Sequence, residues 1–287
     1  MAVLLACASV RADFTFAALG DTPYTEDEEQ RFPGMIAEMN REPLAFVVHV
    51  GDFKSGWSAC TDALFEQRRQ WFDWFHHPLI YVPGDNEWTD CMRALGARRD
   101  PLERLQKLRT LFASGESSLG QRKLPLTRQS RQYPEHARWS QEDVLFVTLN
   151  VPGGNNAGMP AEAAARGEAL KAWTVAAFAS AREQKQRAVV LVMQANPFGD
   201  GGRIISHYTS VMAVIQRETQ AYDGDVLFIH GDTHRYRVDQ PLFDLKTRVP
   251  VRNFTRLEVH GYPFMNWVRV RVSTQGKRVT FAASPGQ

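Results

Sequence analysis

The dipeptide Gly-Asp closes four apolar runs, at Gly20-Asp21, Gly51-Asp52, Gly84-Asp85 and Gly231-Asp232, with Asn86, Glu87 and His234 close behind. An isolated Gly-Asp ordinarily forms a turn or caps a helix, because its short side-chain oxygen accepts a nearby backbone N–H. Four strand-end copies ask for more. In open α/β sheets ligands collect outside the carboxyl ends of strands, so these carboxylates are expected to converge on one crevice. Anions gathered away from water repel one another unless cations sit between them. The economical chemistry is therefore a metal site, with the glycines allowing a sharp turn and a close backbone approach.

The elements that must position these groups are visible around them. Residues 14–19, 44–50, 79–82 and 226–229 are short apolar runs, and near-continuous apolar strands belong to sheets covered on both faces, with helices as crossovers. Helical spacing of apolar residues appears over 26–40, 62–75, 102–112 and 161–187. Further strands are expected at 144–149 and 189–192, and the alternation at 256–260 and 267–272 predicts antiparallel strands closing a second sheet. The stretch 114–136, rich in Ser, Gly, Pro, Arg and Gln, reads as a long surface loop or hairpin. Trp71, Phe72, Trp74 and Phe75 sit together on one amphipathic stretch and are expected in the core. We find no internal repeat.

Taken in order, the motifs resemble those of the calcineurin-like metallophosphoesterase superfamily over most of the chain. That family's pattern is Asp-x-His, Gly-Asp, Gly-Asn-His-Asp/Glu, a later strand-end His, and Gly-His-x-His. The corresponding blocks are Asp21-Thr22-Pro23, Gly51-Asp52, Gly84-Asp85-Asn86-Glu87, Gln194-Ala195-Asn196 and Gly231-Asp232-Thr233-His234. The resemblance implies an α/β fold, a four-layer α-β-β-α sandwich with mixed sheets, holding one or two divalent ions. It assigns Asp21, Asp52 and His234 to one ion, with Asp52 shared, and Asp85 and Asp232 to the other. Gln194 or Asn196 stands where a further ligand is usual.

The chain also departs from the family. Pro23 replaces a ligand His, Asp232 replaces another, and Asn86 occupies the place of the catalytic His that protonates the leaving oxygen or steadies the transition state. His230 and His136 are candidate substitute donors, the ordinary reading of His230 being a core imidazole bonded to backbone. Carboxylate and amide in place of imidazole favour Mn or Mg, with Fe or Zn compatible. The resemblance thus implies hydrolysis of a small phosphorylated substrate, a phosphomonoester or phosphodiester, by metal-activated water. One rival is a non-catalytic member that keeps the ion for structure or for a phosphorylated ligand; another is a hydrolase of some other bond. Tyr24, Gly153, Gly154, Asn155, Asn156, Arg235 and Arg237 are further candidates for the crevice, against packing, turns or solvated charge.

At 287 residues, 44% hydrophobic and 23% charged, the chain can bury a sizeable core, and residues 13–287 are expected to form one domain. A formal charge of +2 gives no field for nucleic acid or a membrane surface, and no stretch is apolar for long enough to span one. No protein partner is inferred. Residues 1–12 read as the remnant of a signal peptide, ending small-x-small at Val10-Arg11-Ala12, or as a mature N-terminal strand; Leu4-Leu5-Ala6-Cys7 resembles a lipoprotein box. Export to a periplasmic or extracellular space would join Cys60 to Cys91, the pair left after Cys7; two buried thiols are the alternative.

Overall fold

The structure, a computed structural model, describes residues 13–93, 98–154, 159–244, 247–275 and 278–286, so the leader expected at 1–12 lies outside the described residues. From the N-terminus run β1 (Phe14–Leu19), α1 (Glu26–Met39), β2 (Val47–His49), α2 (Asp62–Asp73), β3 (Leu79–Tyr81) and α3 (Pro101–Phe112). Then come β4 (Thr127–Arg128), β5 (Ala137–Gln141), β6 (Val144–Thr148), α4 (Pro160–Glu183), β7 (Ala188–Val192) and α5 (Thr209–Gln220). The chain ends with β8 (Asp225–His230), β9 (Arg237–Asp239), β10 (Phe254–Glu258), β11 (Val268–Gln275) and β12 (Arg278–Pro285).

Two mixed sheets result, of order β12-β11-β1-β2-β3 and β4-β5-β6-β7-β8-β10-β9. Strand residues point alternately to either face, so each sheet buries both sides. Phe16, Phe46, Phe146 and Trp139 meet between the sheets, Phe46 lying 5.1 Å from the Phe16 ring and 4.9 Å from Phe146. On the outer face of the first sheet, Ala17, Leu19 and Val47 pack on Phe32, Phe65 and Leu105 of α1, α2 and α3. On that of the second, Val189, Leu191 and Phe228 pack on Phe178 of α4 and Ile215 of α5. The architecture is thus a four-layer α-β-β-α sandwich.

The C-terminal alternation misleads in one respect. β11 does run antiparallel to β1 and β12, but β10 lies in the other sheet, antiparallel to β9 and parallel to β8. Its charged residues do not face water: Arg256 is bonded to Asp239, and Glu258 accepts Arg237 Nε at 2.6 Å, so pairing rather than solvation neutralises them. The 114–136 stretch is largely irregular, yet Leu119 exchanges backbone hydrogen bonds with Leu79 and covers the edge of β3. Of the four aromatics on α2 and its end, Trp74 is exposed while the other three are buried. No helix among the described residues is long and apolar enough to cross a membrane.

Candidate metal centre

β1, β2, β3, β7 and β8 all deliver their C-terminal ends to one edge of the sandwich. The turn after each must reverse within a residue or two. Asp21, Asp52, Asp232 and His234 adopt φ of 52°, 58°, 77° and 58°, and they are four of the seven non-glycine residues with positive φ among those described. Left-handed backbone costs about 1 kcal/mol or more per residue and gathers where function requires it. Gly84 and Gly231 have no room for a side chain: an added Cβ would stand 2.0 Å from Asp52 Oδ1 and 2.1 Å from Asp21 Oδ2 respectively.

Both oxygens of Asp21 accept the Asp232 backbone N–H at 3.0 Å, which joins the tips of β1 and β8 across the two sheets. Asp52 Oδ1 accepts the Asn86 N–H at 3.0 Å, while its Oδ2 accepts Tyr24 Oη at 3.1 Å and Gln194 Nε2 at 3.1 Å. The same Gln194 nitrogen reaches Asp85 Oδ1 at 3.2 Å. Asp232 Oδ2 accepts the Asn196 N–H at 2.8 Å, and the Asp232 and Asp85 carboxylates flank the same side of Gly153. Asp52, Asp85, Asp232, His234, Asn86 and Tyr24 line one cleft of about 710 Å³, with Asp21 beneath it.

Electrostatics shows how unfavourable this gathering is by itself. Burial, reinforced by the neighbouring carboxylates, pushes Asp85 up to about 7 and Asp232 up to about 6; Asp21 and Asp52 are raised for the same reasons. Among the described residues none of the four pairs with Lys or Arg, the nearest base being His234, whose Nε2 is 3.8 Å from Asp21 Oδ1. Burial lowers His234, keeping it neutral, and its Nδ1 lies 2.8 Å from the Tyr262 carbonyl. A carbonyl only accepts, so Nδ1 carries the proton and the Nε2 lone pair faces the carboxylates, the tautomer a metal ligand needs. Hard oxygens plus one such imidazole suit a divalent cation. No three of the described acidic, His or Cys side chains close tightly enough to form a ready-made cage, because Tyr24 and Gln194 stand between them.

Gln194 reaches the centre with the opposite polarity from that of a ligand. Its Oε1 is taken by the Gly153 N–H, so the NH2 faces Asp52 and Asp85 and ties them together. His230 does not reach the cleft. It shares the face of β8 with Phe228, its Nδ1 is 2.8 Å from the Gly231 carbonyl, and burial takes it down to about 3. His136 is likewise buried, stacked on Tyr133 and bonded to Gln129. Arg237 is paired with Glu258, Arg235 is exposed beside a separate cavity, and Asn155 and Asn156 lie outside the described residues.

Two supporting roles escape sequence reasoning, that of the motif residue Glu87 and that of Lys54. Glu87 Oε1 accepts the N–H of Asp52 at 2.9 Å, that of Gly84 at 2.8 Å and Tyr81 Oη at 2.6 Å, pinning two motif turns to each other. Lys54, fully buried, donates to the carbonyls of Asn86 at 2.6 Å and Ser55 at 2.7 Å, a cation held under the same turns. A second cavity of about 710 Å³, near α3, contains none of these groups, and its Arg109 and Arg128 are bonded to Glu135 and to backbone carbonyls.

Among solved structures, a dimetal phosphatase from Danio rerio superposes over 96% of this chain and 99% of its own, at 12% identity and TM-score 0.50. A purple acid phosphatase from yellow lupin (Lupinus luteus) seeds matches over 96% and 52%, at 13% identity and TM-score 0.54, and PhoD over 95% and 68%, at 10% identity and TM-score 0.51. Its fold is that of the calcineurin-like metallophosphoesterases. No family model matches the sequence, and no curated protein matches it significantly.

On this metallophosphoesterase fold a disulfide links Cys60 to Cys91, with Cα atoms 5.8 Å apart, and ties the chain after Asp52 to the chain after Asp85. Closing a loop of 31 residues contributes about 3.7 kcal/mol. Cys60→Ser/Cys91→Ser is expected to lower the thermal midpoint by several degrees and to weaken divalent-ion binding. Calorimetry checks both; an unchanged midpoint would show that the bridge does not constrain these turns.

Proposed function

We propose that the chain is a metal-dependent phosphoesterase, hydrolysing a small phosphomonoester or phosphodiester outside the cytoplasm. The observation that carries the reading is the gathering of Asp52, Asp85 and Asp232 at one cleft with Asp21 beneath it, none of the four paired with Lys or Arg among the described residues. Asp21, Asp52, Asp85, Asp232 and His234 would hold one or two divalent ions, Mn or Mg being favoured by the oxygen-rich set. Such an ion supplies Lewis acidity toward a phosphate oxygen and toward water. The dimetal phosphatase and the purple acid phosphatase that share this fold support the reaction class. The Cys60–Cys91 bridge and the apolar N-terminal run support export.

Hydrolysis forms a P–O bond to water and breaks the ester P–O bond, so the departing oxygen must gain a proton. Asn86 cannot supply one, and His230 and His136 are turned away. Tyr24 is the remaining candidate: burial and the acidic neighbours hold its phenol protonated, and Asn86 Nδ2 donates to its oxygen at 2.8 Å. We assign Tyr24 to the leaving oxygen and Asn86 to holding Tyr24 in place. The same loss of a histidine motivates a second reading, a non-catalytic member that binds a phosphorylated ligand through the ion. Assays with Mn²⁺, Mg²⁺, Zn²⁺ or no metal, on one phosphodiester and one phosphomonoester, separate them. Ion-dependent turnover is expected; ion uptake with no turnover under any condition favours the second reading.

A further inference from the structure

Trp57 stands at the mouth of this cleft, 67% exposed. Of the other six tryptophans five are buried, and Trp74 leans on Trp71 at 6.3 Å between ring centroids. Among the described residues Trp57 makes no ring or cation–π contact. A bare indole on a loose loop would need no explanation, since scattered surface apolar residues are normal.

The loop bearing it, however, is held in several ways. Lys54 bonds the Asn86 and Ser55 carbonyls, the Trp57 N–H donates to Ser55 Oγ at 3.2 Å, and the disulfide grips the chain three residues further on. Gly56 lies so close to the acidic turn that an added Cβ would meet Asn86 Oδ1 at 2.7 Å. The backbone that bears the indole is therefore held beside the candidate metal ligands, so little loop freedom is lost when a ligand covers the ring. Preorganised aromatic surface of this kind gains most by covering a flat ring. Tyr262, 42% exposed, lines the same cleft, its ring stacked on Tyr24 at 6.0 Å.

We propose that the cleft takes phosphoesters that carry a planar aromatic ring, as nucleotides do, with the ring laid on Trp57 and the phosphate toward the carboxylate end. The phosphate half of this statement rests on the phosphoesterase reading; the stacking half does not. Adenosine 5′-monophosphate and ribose 5-phosphate separate them, because both are 5′-phosphates of ribose and differ in the base. With the full chain loaded with Mn²⁺, calorimetric binding and turnover are measured for both compounds.

The wild type is expected to prefer the nucleotide by about tenfold or more, the size of one base–aromatic stack. Trp57→Ala should collapse that preference toward unity, and Trp57→Phe should keep most of it. No preference in the wild type, or the same preference in Trp57→Ala, overturns the proposal. Preferential binding of the nucleotide through Trp57 without turnover of either compound upholds the stacking and defeats the phosphoesterase reading. Turnover of both without preference does the reverse.

Discussion

Asp52→Asn is expected to lower kcat/KM by about a thousandfold or more and to abolish tight binding of the divalent ion. Asp52 is tied to three groups at once: one oxygen accepts the Asn86 N–H, and the other accepts both Tyr24 and Gln194. An amide at this position removes a charge, and its NH2 meets either the Asn86 N–H or the Gln194 NH2, both of which only donate. The variant should still fold. In the metal-free protein the Asp52 carboxyl is raised by burial and by Asp85, Glu87 and Asp21, so neutralising it relieves repulsion. Circular dichroism that matches metal-free wild type, together with lost turnover, is the expected pair of results. Full turnover in the variant would remove Asp52 from the site.

The second large effect is on stability, where pH and the ion act together. Asp85 at about 7 and Asp232 at about 6, against ordinary carboxylate values near 4, mean that between these limits the folded metal-free chain binds more protons than the unfolded chain. Its stability therefore falls as pH rises from about 4 to 7, by up to about 4 kcal/mol from Asp85 alone. Buried histidines act in the opposite sense. His49 and His230 near 3 and His136 near 4 stay neutral when folded and charge when unfolded, so they add stability as pH rises toward 6.5. The two trends overlap in the metal-free curve, but these three histidines lie away from the centre, so it is the carboxylates, with His234, that compete with an ion for protons.

The informative quantity is thus the difference in thermal midpoint with and without Mn²⁺, which should widen steadily between pH 5 and 7.5. Scanning calorimetry across that range decides it. A pH-independent difference would mean that the ion binds somewhere other than at these carboxylates.

Much of this was legible in the chain because strand tips are legible. Apolar runs ending in Gly-Asp mark both where a strand stops and which side chain stands at its end, and the structure brings Asp21, Asp52, Asp85, Asp232 and His234 to one cleft. What failed depended on partners far away in sequence. Gln194 was legible as a strand-end residue, but the direction of its amide is set by the Gly153 backbone, 41 residues away. Glu87 lies inside a motif, yet its work is defined by donors on residues 52, 81 and 84.

His230 stood next to a motif glycine and invited a catalytic role. The two-residue period of β8 puts it on the face of Val226 and Phe228, toward the helical layer. α5 went unread because β-branched Thr, Val and Ile fill much of it, although Met212, Ile215, Gln216 and Thr219 are buried at helical spacing. The alternation of Arg256 and Glu258 with apolar residues marks only the antiparallel pairing of β10 with β9 and hides its parallel pairing with β8, because ion pairs on a buried strand produce that pattern as well as water does.

Elemental analysis of protein purified gently and without added metal goes directly to the claim that buried carboxylates at these strand ends are held together by a cation. At least one divalent ion per chain is predicted, released by Asp52→Asn or by acid. Protein that contains none, and takes up none when Mn²⁺, Mg²⁺ or Zn²⁺ is offered at neutral pH, would contradict it.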